Sequence, residues 1–170
     1  APQAPHAPTD PALRHHQTFE RARAPRVASF NQEDVSTQPS LQQVPRLNRR
    51  AVAEVDRRYR RHLDALQAVD ELVRDVIATL EDIGAADHTF LFFTSDNGYH
   101  FGEHRIAEGK ATPFEESIRF PLIVRGPGVP RGRVVQELVS NVDLHPTLLD
   151  LIGLTSAPAV DGLSLRPLLR

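Results

Sequence analysis

The longest regular pattern of apolar and polar positions runs from Asn48 to Ile83. Apolar side chains recur there at intervals of three and four residues, and mostly charged residues, many of them arginine, fill the positions between them. This spacing is typical of an amphipathic α-helix that packs one face against a core. Asn48 is a favourable residue for the start of such a helix, and Gly84 suits the left-handed position just past its end.

Shorter apolar runs predict strands. HTFLFFT at 88–94 is continuously apolar between polar ends, which indicates a strand buried on both faces, and FPLIVRG at 120–126 repeats the signal. VVQELVSNV at 134–142 predicts another short strand or an edge segment. A helix followed by a buried strand favours a parallel α/β sheet.

A second helical pattern follows at 143–154, DLHPTLLDLIGL, with Asp143 as the expected cap and Gly153 as the stop. Residues 1–46 are instead rich in proline and show no sustained period. They form either a flexible leader or a long loop laid over a surface, and the scattered apolar residues favour the loop. We therefore divide the chain into a Pro-rich segment, 1–46, and an α/β region, 47–170.

Composition narrows the class of protein. The chain has 170 residues, of which 40% are hydrophobic and 25% charged, and a formal net charge of −2, so we expect a globular protein without a general attraction to nucleic acid. No window approaches the ~20 apolar residues of a membrane span. The lack of cysteine excludes disulfides, and the lack of methionine indicates a processed chain or a fragment. Compartment and oligomeric state stay open.

Candidate chemistry lies at the end of the first predicted strand. Asp96 and Asn97 follow its carboxyl end, where α/β sheets bind ligands, and their oxygens suit Ca²⁺ or Mg²⁺ better than a soft metal. Gly98 would let the backbone turn away from the ion. The alternative is a simple turn, because Asp, Asn and Gly are common turn residues.

The residues that follow favour a binding site over a turn. His100, His104 and Lys110 lie within fourteen positions of Asp96, and Lys110 is the single lysine of an arginine-rich chain. A divalent cation beside a lysine is a common means of holding a phosphate or sulfate ester. For the two histidines, the alternative is a pair of partly exposed loop side chains.

At this point the sequence resembles a known family. FTSDNGYHFGEHRIAEGKATPFEESIRFPLIVRGPGV, then LVSNVDLHPTLLDLIGL and DGLSLRPLL, look like the later part of the catalytic domain of a sulfatase of the alkaline phosphatase superfamily. The resemblance runs from about Arg46 to the last residue. APQAPHAP at the start resembles the segment in which sulfatases place an active-site histidine before a proline.

The resemblance implies a mixed, mostly parallel α/β sheet flanked by helices and incomplete at its N-terminal side. Asp96 and Asn97 match metal ligands, usually for Ca²⁺, with Mg²⁺ as the alternative. Lys110 matches the lysine that contacts the sulfate group, and His6 matches a histidine that contacts sulfate or assists the leaving group. His100 and His104 fall in a variable part of the motif, where we expect either substrate contact or a role in supporting the residues that bind substrate.

The resemblance also implies a missing nucleophile. Sulfatases of this type use a formylglycine made from Cys or Ser in a Cys/Ser-x-Pro-x-Arg motif, and residues 1–170 contain no such motif. The nucleophile and the earlier metal-binding Asp pair would lie upstream of Ala1. We therefore expect no turnover from the isolated chain.

The leading hypothesis is part of a metal-dependent sulfatase that acts on a small-molecule or saccharide sulfate ester, with no membrane span and no nucleic-acid partner. One alternative is a phosphodiesterase or phosphonate monoester hydrolase of the same superfamily. The other is a non-catalytic truncated relic that keeps the fold for interaction.

Overall fold

The computed structural model describes residues 2–39, 43–154 and 160–170. In chain order, its helices and strands are α1 (Arg49–Asp82), β1 (Leu91–Thr94), α2 (Glu115–Ile118), β2 (Leu122–Arg125) and α3 (Leu144–Leu151). The chain forms two compact units, Ala1–Thr79 with Asn97–Phe120, and Leu80–Asp96 with Pro121–Arg170. No helix in the described part of the chain is long and apolar enough to cross a membrane.

The predicted long helix is confirmed as α1. The Asn48 side chain accepts a hydrogen bond from the backbone N–H of Ala51 at 2.9 Å, as a helix cap does. Gly84 follows the last turn with φ +68°, a left-handed conformation that glycine adopts without a steric penalty. Val55, Ala65 and Val69 of its apolar face are buried.

The Pro-rich segment packs against α1 and forms the first unit with it, which favours the surface-loop alternative. The buried carboxylate of Asp64 accepts hydrogen bonds from the backbone N–H groups of Gln17 and Phe19, at 3.2 and 3.1 Å. Arg14 forms an ion pair with Glu71. Hydrogen bonds from Arg14 and His15 lower the pKa of Glu71 to about 2.

The second unit holds the sheet. β1 and β2 are present as predicted, and they pair antiparallel, with Leu91 opposite Arg125 and Thr94 opposite Leu122. A mixed sheet admits such a pair, and the described residues contain no parallel one. The expected burial of β1 on both faces is wrong, because Phe93 is 39% exposed. A face of a sheet is buried only where another layer of structure packs on it.

Two further predictions in this unit need correction. Residues 134–140 form no strand, and Leu138 is fully exposed, because no described strand pairs with them. Asp143 does sit at the start of α3, but its carboxylate bonds elsewhere. It accepts from the backbone N–H groups of Ser140 and Leu163, both at 2.8 Å. Gly153 follows the end of α3 with φ +77°, as expected for a stop.

Candidate active site

The end of β1 presents the predicted acid. Past Thr94, the chain leaves the strand, and the Asp96 side chain is exposed. The Ser95 hydroxyl donates to Asp96 Oδ1 at 3.3 Å, and the Asn141 amide donates to the Asp96 carbonyl at 3.1 Å. The second contact holds the backbone of this strand end within its own unit.

The amide and the lysine meet in the first unit. Lys110 Nζ donates a hydrogen bond to Asn97 Oδ1 at 3.2 Å, although thirteen positions separate the two residues. The Asn97 amide nitrogen donates to the carbonyl of Gly98 at 2.9 Å, and this fixes which end of the amide faces Lys110. The loop therefore brings a cationic group onto a predicted metal ligand.

Glycine is required at position 98 for a different reason from the one predicted. A Cβ at this position would overlap the carbonyl oxygens of Glu116 and Arg119, and the Gly98 N–H donates to the Ser117 carbonyl at 2.8 Å. Glycine is needed here because the backbone packs against the short helix α2 without room for a side chain. This contact positions Asn97, the preceding residue.

His100 is buried. Its ring has 0% exposure, and its Nε2 lies 2.7 Å from the hydroxyl oxygen of Thr112. Burial lowers the pKa of His100, against the opposing effect of Glu116 and Glu103. The alternative of a partly exposed loop histidine does not hold for this residue.

His104 is held on three sides. Its Nδ1 lies 3.0 Å from the amide of Gln38, its Nε2 lies 3.1 Å from a carboxylate oxygen of Glu116, and its ring stacks on Phe114 with 3.8 Å between centroids. Burial alone would raise the pKa of Glu116, but hydrogen bonds from its own backbone and from Ser29, and the neighbouring His104, hold that pKa below its usual value. Glu116 thus helps to order the loop that carries Lys110.

His6 lies on the exposed part of the Pro-rich segment. Its Nδ1 bonds to the carbonyl of Ala7 at 3.0 Å, and its own carbonyl accepts from the N–H of Thr9 at 3.1 Å. The structure thus brings together Asn97 and Lys110, whereas the ring of His6 bonds to its own neighbour.

The donor chemistry of the strand end suits a hard cation. Asp96 offers carboxylate oxygens and Asn97 an amide oxygen, which are ligands for Ca²⁺ or Mg²⁺. Within residues 2–39, 43–154 and 160–170 there is no group of three or more His, Cys, Asp or Glu side chains that could hold a metal. Each of the two side chains therefore has the chemistry of an oxygen ligand, and a cation would need further ligands.

Sequence reasoning missed three residues around this site. Asn141 anchors the Asp96 backbone, Thr112 bonds to His100, and Arg105 donates to the carbonyls of Gln32, Glu33 and Val44. Their partners lie between 12 and 73 positions away along the chain, so no local pattern marks them. The local signals for this loop were His100, His104 and the lone Lys110.

Comparison with known proteins decides the family. The sulfatase family model matches residues 1–154, nearly the whole chain. The chain belongs to the sulfatase family. A sulfatase from Metarhizium majus, ppz1, is 40% identical over 95% of this chain, and human N-acetylglucosamine-6-sulfatase is 35% identical over all of it. The chain spans 40% and 31% of those two relatives.

Solved structures agree with this family. BT4656, solved in complex with its substrate D-glucosamine-2-N,6-O-disulfate, matches 98% of this sulfatase chain with a TM-score of 0.77 at 24% identity, over 46% of its own length. A phosphonate monoester hydrolase from Silicibacter pomeroyi matches 76% of the chain with a TM-score of 0.66 at 33% identity, over 25% of its length. The predicted fold class, a mixed α/β fold like that of alkaline phosphatase, is confirmed.

Proposed function

We propose that this chain supplies part of the active site of an enzyme that hydrolyses a sulfate ester to an alcohol and inorganic sulfate. The observation that carries the proposal is the contact between Lys110 Nζ and Asn97 Oδ1 at 3.2 Å, at the end of a sheet strand. The only lysine of the sequence therefore contacts Asn97, which matches a metal ligand of the family. Family membership supports the same reaction.

Asp96 and Asn97 would hold the divalent cation, Ca²⁺ or Mg²⁺. When bound, such an ion would withdraw charge from the sulfate oxygens. The exposed Asp96 supplies negative charge to balance the ion, and the Asn97 amide supplies a neutral oxygen whose direction is set by its bond to the Gly98 carbonyl.

Lys110 would hold a sulfate oxygen. Its ammonium is a compact point charge with three donors, which suits contact with a single anionic oxygen. His6 would contact the sulfate or give a proton to the leaving alcohol, the role that the family match suggests. His100 is buried and its ring bonds to Thr112. His104 is partly buried and bonds to Gln38 and Glu116. Of the two roles expected for these histidines, support of the site therefore suits them better than substrate contact.

A saccharide sulfate is the substrate class we propose. Human N-acetylglucosamine-6-sulfatase is named for a sulfated sugar, and BT4656 was solved with a sulfated glucosamine. These names belong to the relatives. They make sulfated amino sugars the first compounds to test.

A second candidate is phosphonate monoester hydrolysis. The solved phosphonate monoester hydrolase is 33% identical to this chain, a closer match in sequence than BT4656. A cation and a lysine serve a phosphonate as well as a sulfate. The upstream nucleophile separates the two reactions, because a Cys/Ser-x-Pro-x-Arg motif makes the formylglycine of sulfatases.

The test uses the product of the complete open reading frame that encodes residues 1–170. We expect hydrolysis of p-nitrophenyl sulfate, and of glucosamine 6-sulfate, with a higher kcat/KM than that of p-nitrophenyl phenylphosphonate. Lys110→Ala should lower kcat/KM for the sulfate by about 10²–10³-fold. Preference for the phosphonate would establish the second candidate, and no hydrolysis of any ester would support the relic.

The matched control is Arg74→Ala. Arg74 is an exposed cation of α1 that pairs with its neighbour Asp75, so its loss removes the same charge from an ordinary surface position. We expect its kcat/KM to match that of the wild type. An equal loss in both variants would mean that total charge, and not Lys110, supports the activity. The 170-residue chain alone, assayed in parallel, should show no turnover.

A further inference from the structure

Lys110 sits on a backbone that is unusual on both sides. Gly109 has φ +124° and Ala111 has φ +68°, which is left-handed although alanine carries a Cβ. A left-handed alanine costs about 1–2 kcal/mol. Such a conformation persists only where surrounding contacts impose it. Something in the fold must therefore hold the residues next to Lys110.

His100 makes those contacts. Its backbone N–H donates to the carbonyl of Gly109 at 2.8 Å, and the two residues form an isolated antiparallel bridge. Its ring Nε2 lies 2.7 Å from the hydroxyl oxygen of Thr112. His100 therefore bonds to Gly109, immediately before Lys110, and to Thr112, two positions after it.

Thr112, the partner of the His100 ring, is itself held in place. The Thr112 N–H donates to the hydroxyl of Ser117 at 3.2 Å, and Ser117 is buried in α2. The ring of Phe114 meets His100 edge-on, with 6.0 Å between centroids. His100 Nδ1 is enclosed, and in the described part of the chain it has no hydrogen-bond partner. The ring is thus committed to a single polar contact, the one with Thr112.

We propose that His100 is a positioning residue for Lys110: by holding Gly109 and Thr112 it fixes the strained backbone that directs the ammonium toward Asn97. This proposal rests on the proposed function in one respect only, namely that the group bound by Lys110 is a sulfate oxygen. His100 itself touches neither substrate nor metal. The burial of its ring excludes direct contact with solvent-borne ligands in this conformation.

The first experiment is a double-substitution cycle in the complete reading-frame product, with sulfate-ester hydrolysis as the readout. Alone, His100→Ala should lower kcat/KM by about 10²-fold, the cost of displacing a catalytic group by a short distance. In the Lys110→Ala background, the same change should alter kcat/KM by no more than about a factor of 2. A full independent loss in that background would overturn the proposal.

His100→Gln separates positioning from simple packing. The end of the Gln side chain reaches the place of Nε2 and can bond to Thr112, whereas Ala fills no such role. We expect Gln to restore most of kcat/KM. Thr112→Val should reproduce the defect of His100→Ala, because it removes the other end of the same bond. His145→Ala, at an exposed histidine of α3, is the matched control and should leave kcat/KM unchanged.

A second readout does not depend on activity. In protein labelled with ¹³C-lysine, the Lys110 side-chain signal is identified by its loss in Lys110→Arg; residues 1–170 contain no other lysine. His100→Ala should shift and broaden this signal, and His100→Gln should return it toward the wild-type position. An unchanged signal in folded His100→Ala would overturn the proposal. A shifted signal in a protein without sulfatase activity would refute the proposed function and leave the positioning role standing.

Discussion

Two irregular segments of the molecule, each glycine-containing and without regular helix or strand, are built in opposite ways. The Lys110 loop, residues 98–114, buries His100 and Glu103 and is crossed by hydrogen bonds to distant parts of the first unit. The segment after β2, residues 126–140, exposes Val134 and Leu138 to solvent. Hydrogen bonds in this segment join near neighbours in the sequence, such as the one from the Val129 N–H to the carbonyl of Gly126 at 3.1 Å.

The difference shows what fixes a loop in one conformation. In the Lys110 loop, His104, Arg105 and Ala111 all have positive φ, a conformation that disfavours side chains bearing a Cβ. Buried polar bonds offset that strain, as in many sites where geometry matters for chemistry. In the segment after β2 the residues with positive φ are Gly128 and Gly132, where this conformation costs no strain that other contacts would have to offset.

The largest expected effect comes from a pair of glycines, one in each segment. Gly102 and Gly132 both have positive φ, but a Cβ at Gly102 would overlap the ring of Phe30, whereas Gly132 faces open space. Gly102→Ala should lower the free energy of unfolding by about 2–5 kcal/mol, and Gly132→Ala by about 1–2 kcal/mol. Urea unfolding measures both. Equal losses would remove the distinction between the two segments.

The second-largest effect on stability is expected from Arg105. Its guanidinium donates to the carbonyls of Gln32 and Val44, both at 2.9 Å, and to that of Glu33. Arg105→Ala should lower the free energy of unfolding by about 1.5–3 kcal/mol, because these bonds carry charge and their acceptors lose a partner. Arg105→Gly loses the same bonds but relieves the φ of +63°, so it should cost less than Ala. A greater loss with Gly would contradict the assigned strain.

The buried histidines predict a dependence on pH. Burial lowers the pKa of His100 below 6.5, against Glu116 and Glu103, which raise it, and burial also lowers the pKa of His62. The unfolded chain then binds more protons than the folded one, so stability should fall as pH drops below about 6.5 and level off below the folded pKa values. His100→Gln should reduce this slope between pH 7 and 5, as followed by thermal melts. An unaltered slope would mean that His100 ionises as freely in the fold as in the unfolded chain.

The smallest effect is expected from Leu138. Its side chain is fully exposed, so Leu138→Ser should change the free energy of unfolding by no more than about 0.5 kcal/mol. The matched change in the other loop, Phe114→Ser, removes the ring that stacks on His104 and should cost about 1–3 kcal/mol. A large loss with Leu138→Ser would show that this residue has a packing partner after all.

Local sequence patterns predicted the long helix α1 well, whereas they did not predict the short helix α2. The apolar period of α1, the Asn48 cap and the stop at Gly84 all appear where the pattern puts them, because each depends on neighbours within a turn or two. The burial of β1 was not predictable from its own residues. An apolar run indicates that a strand can be buried, and the elements that pack on the two faces of the sheet decide whether it is.

The candidate site, like the fold, could be predicted from the sequence only in part. The family motif named Asp96, Asn97 and Lys110, and their roles in metal and sulfate binding stay predictions. The place of His100 could not be read from the sequence, because its immediate neighbours, Tyr99 and Phe101, do not indicate which side chain its ring would contact. Its role depends on Thr112, twelve positions away, and on the ring of Phe114.

The decisive measurement is a crystal structure of the complete reading-frame product with Ca²⁺ and sulfate bound. We expect oxygens of Asp96 and Asn97 at about 2.3–2.6 Å from the cation. We also expect Lys110 Nζ within hydrogen-bond distance of a sulfate oxygen, on a loop that keeps the bond between His100 and Thr112. A cation held without Asp96 and Asn97, or a sulfate bound away from Lys110, would refute the proposed roles of these residues.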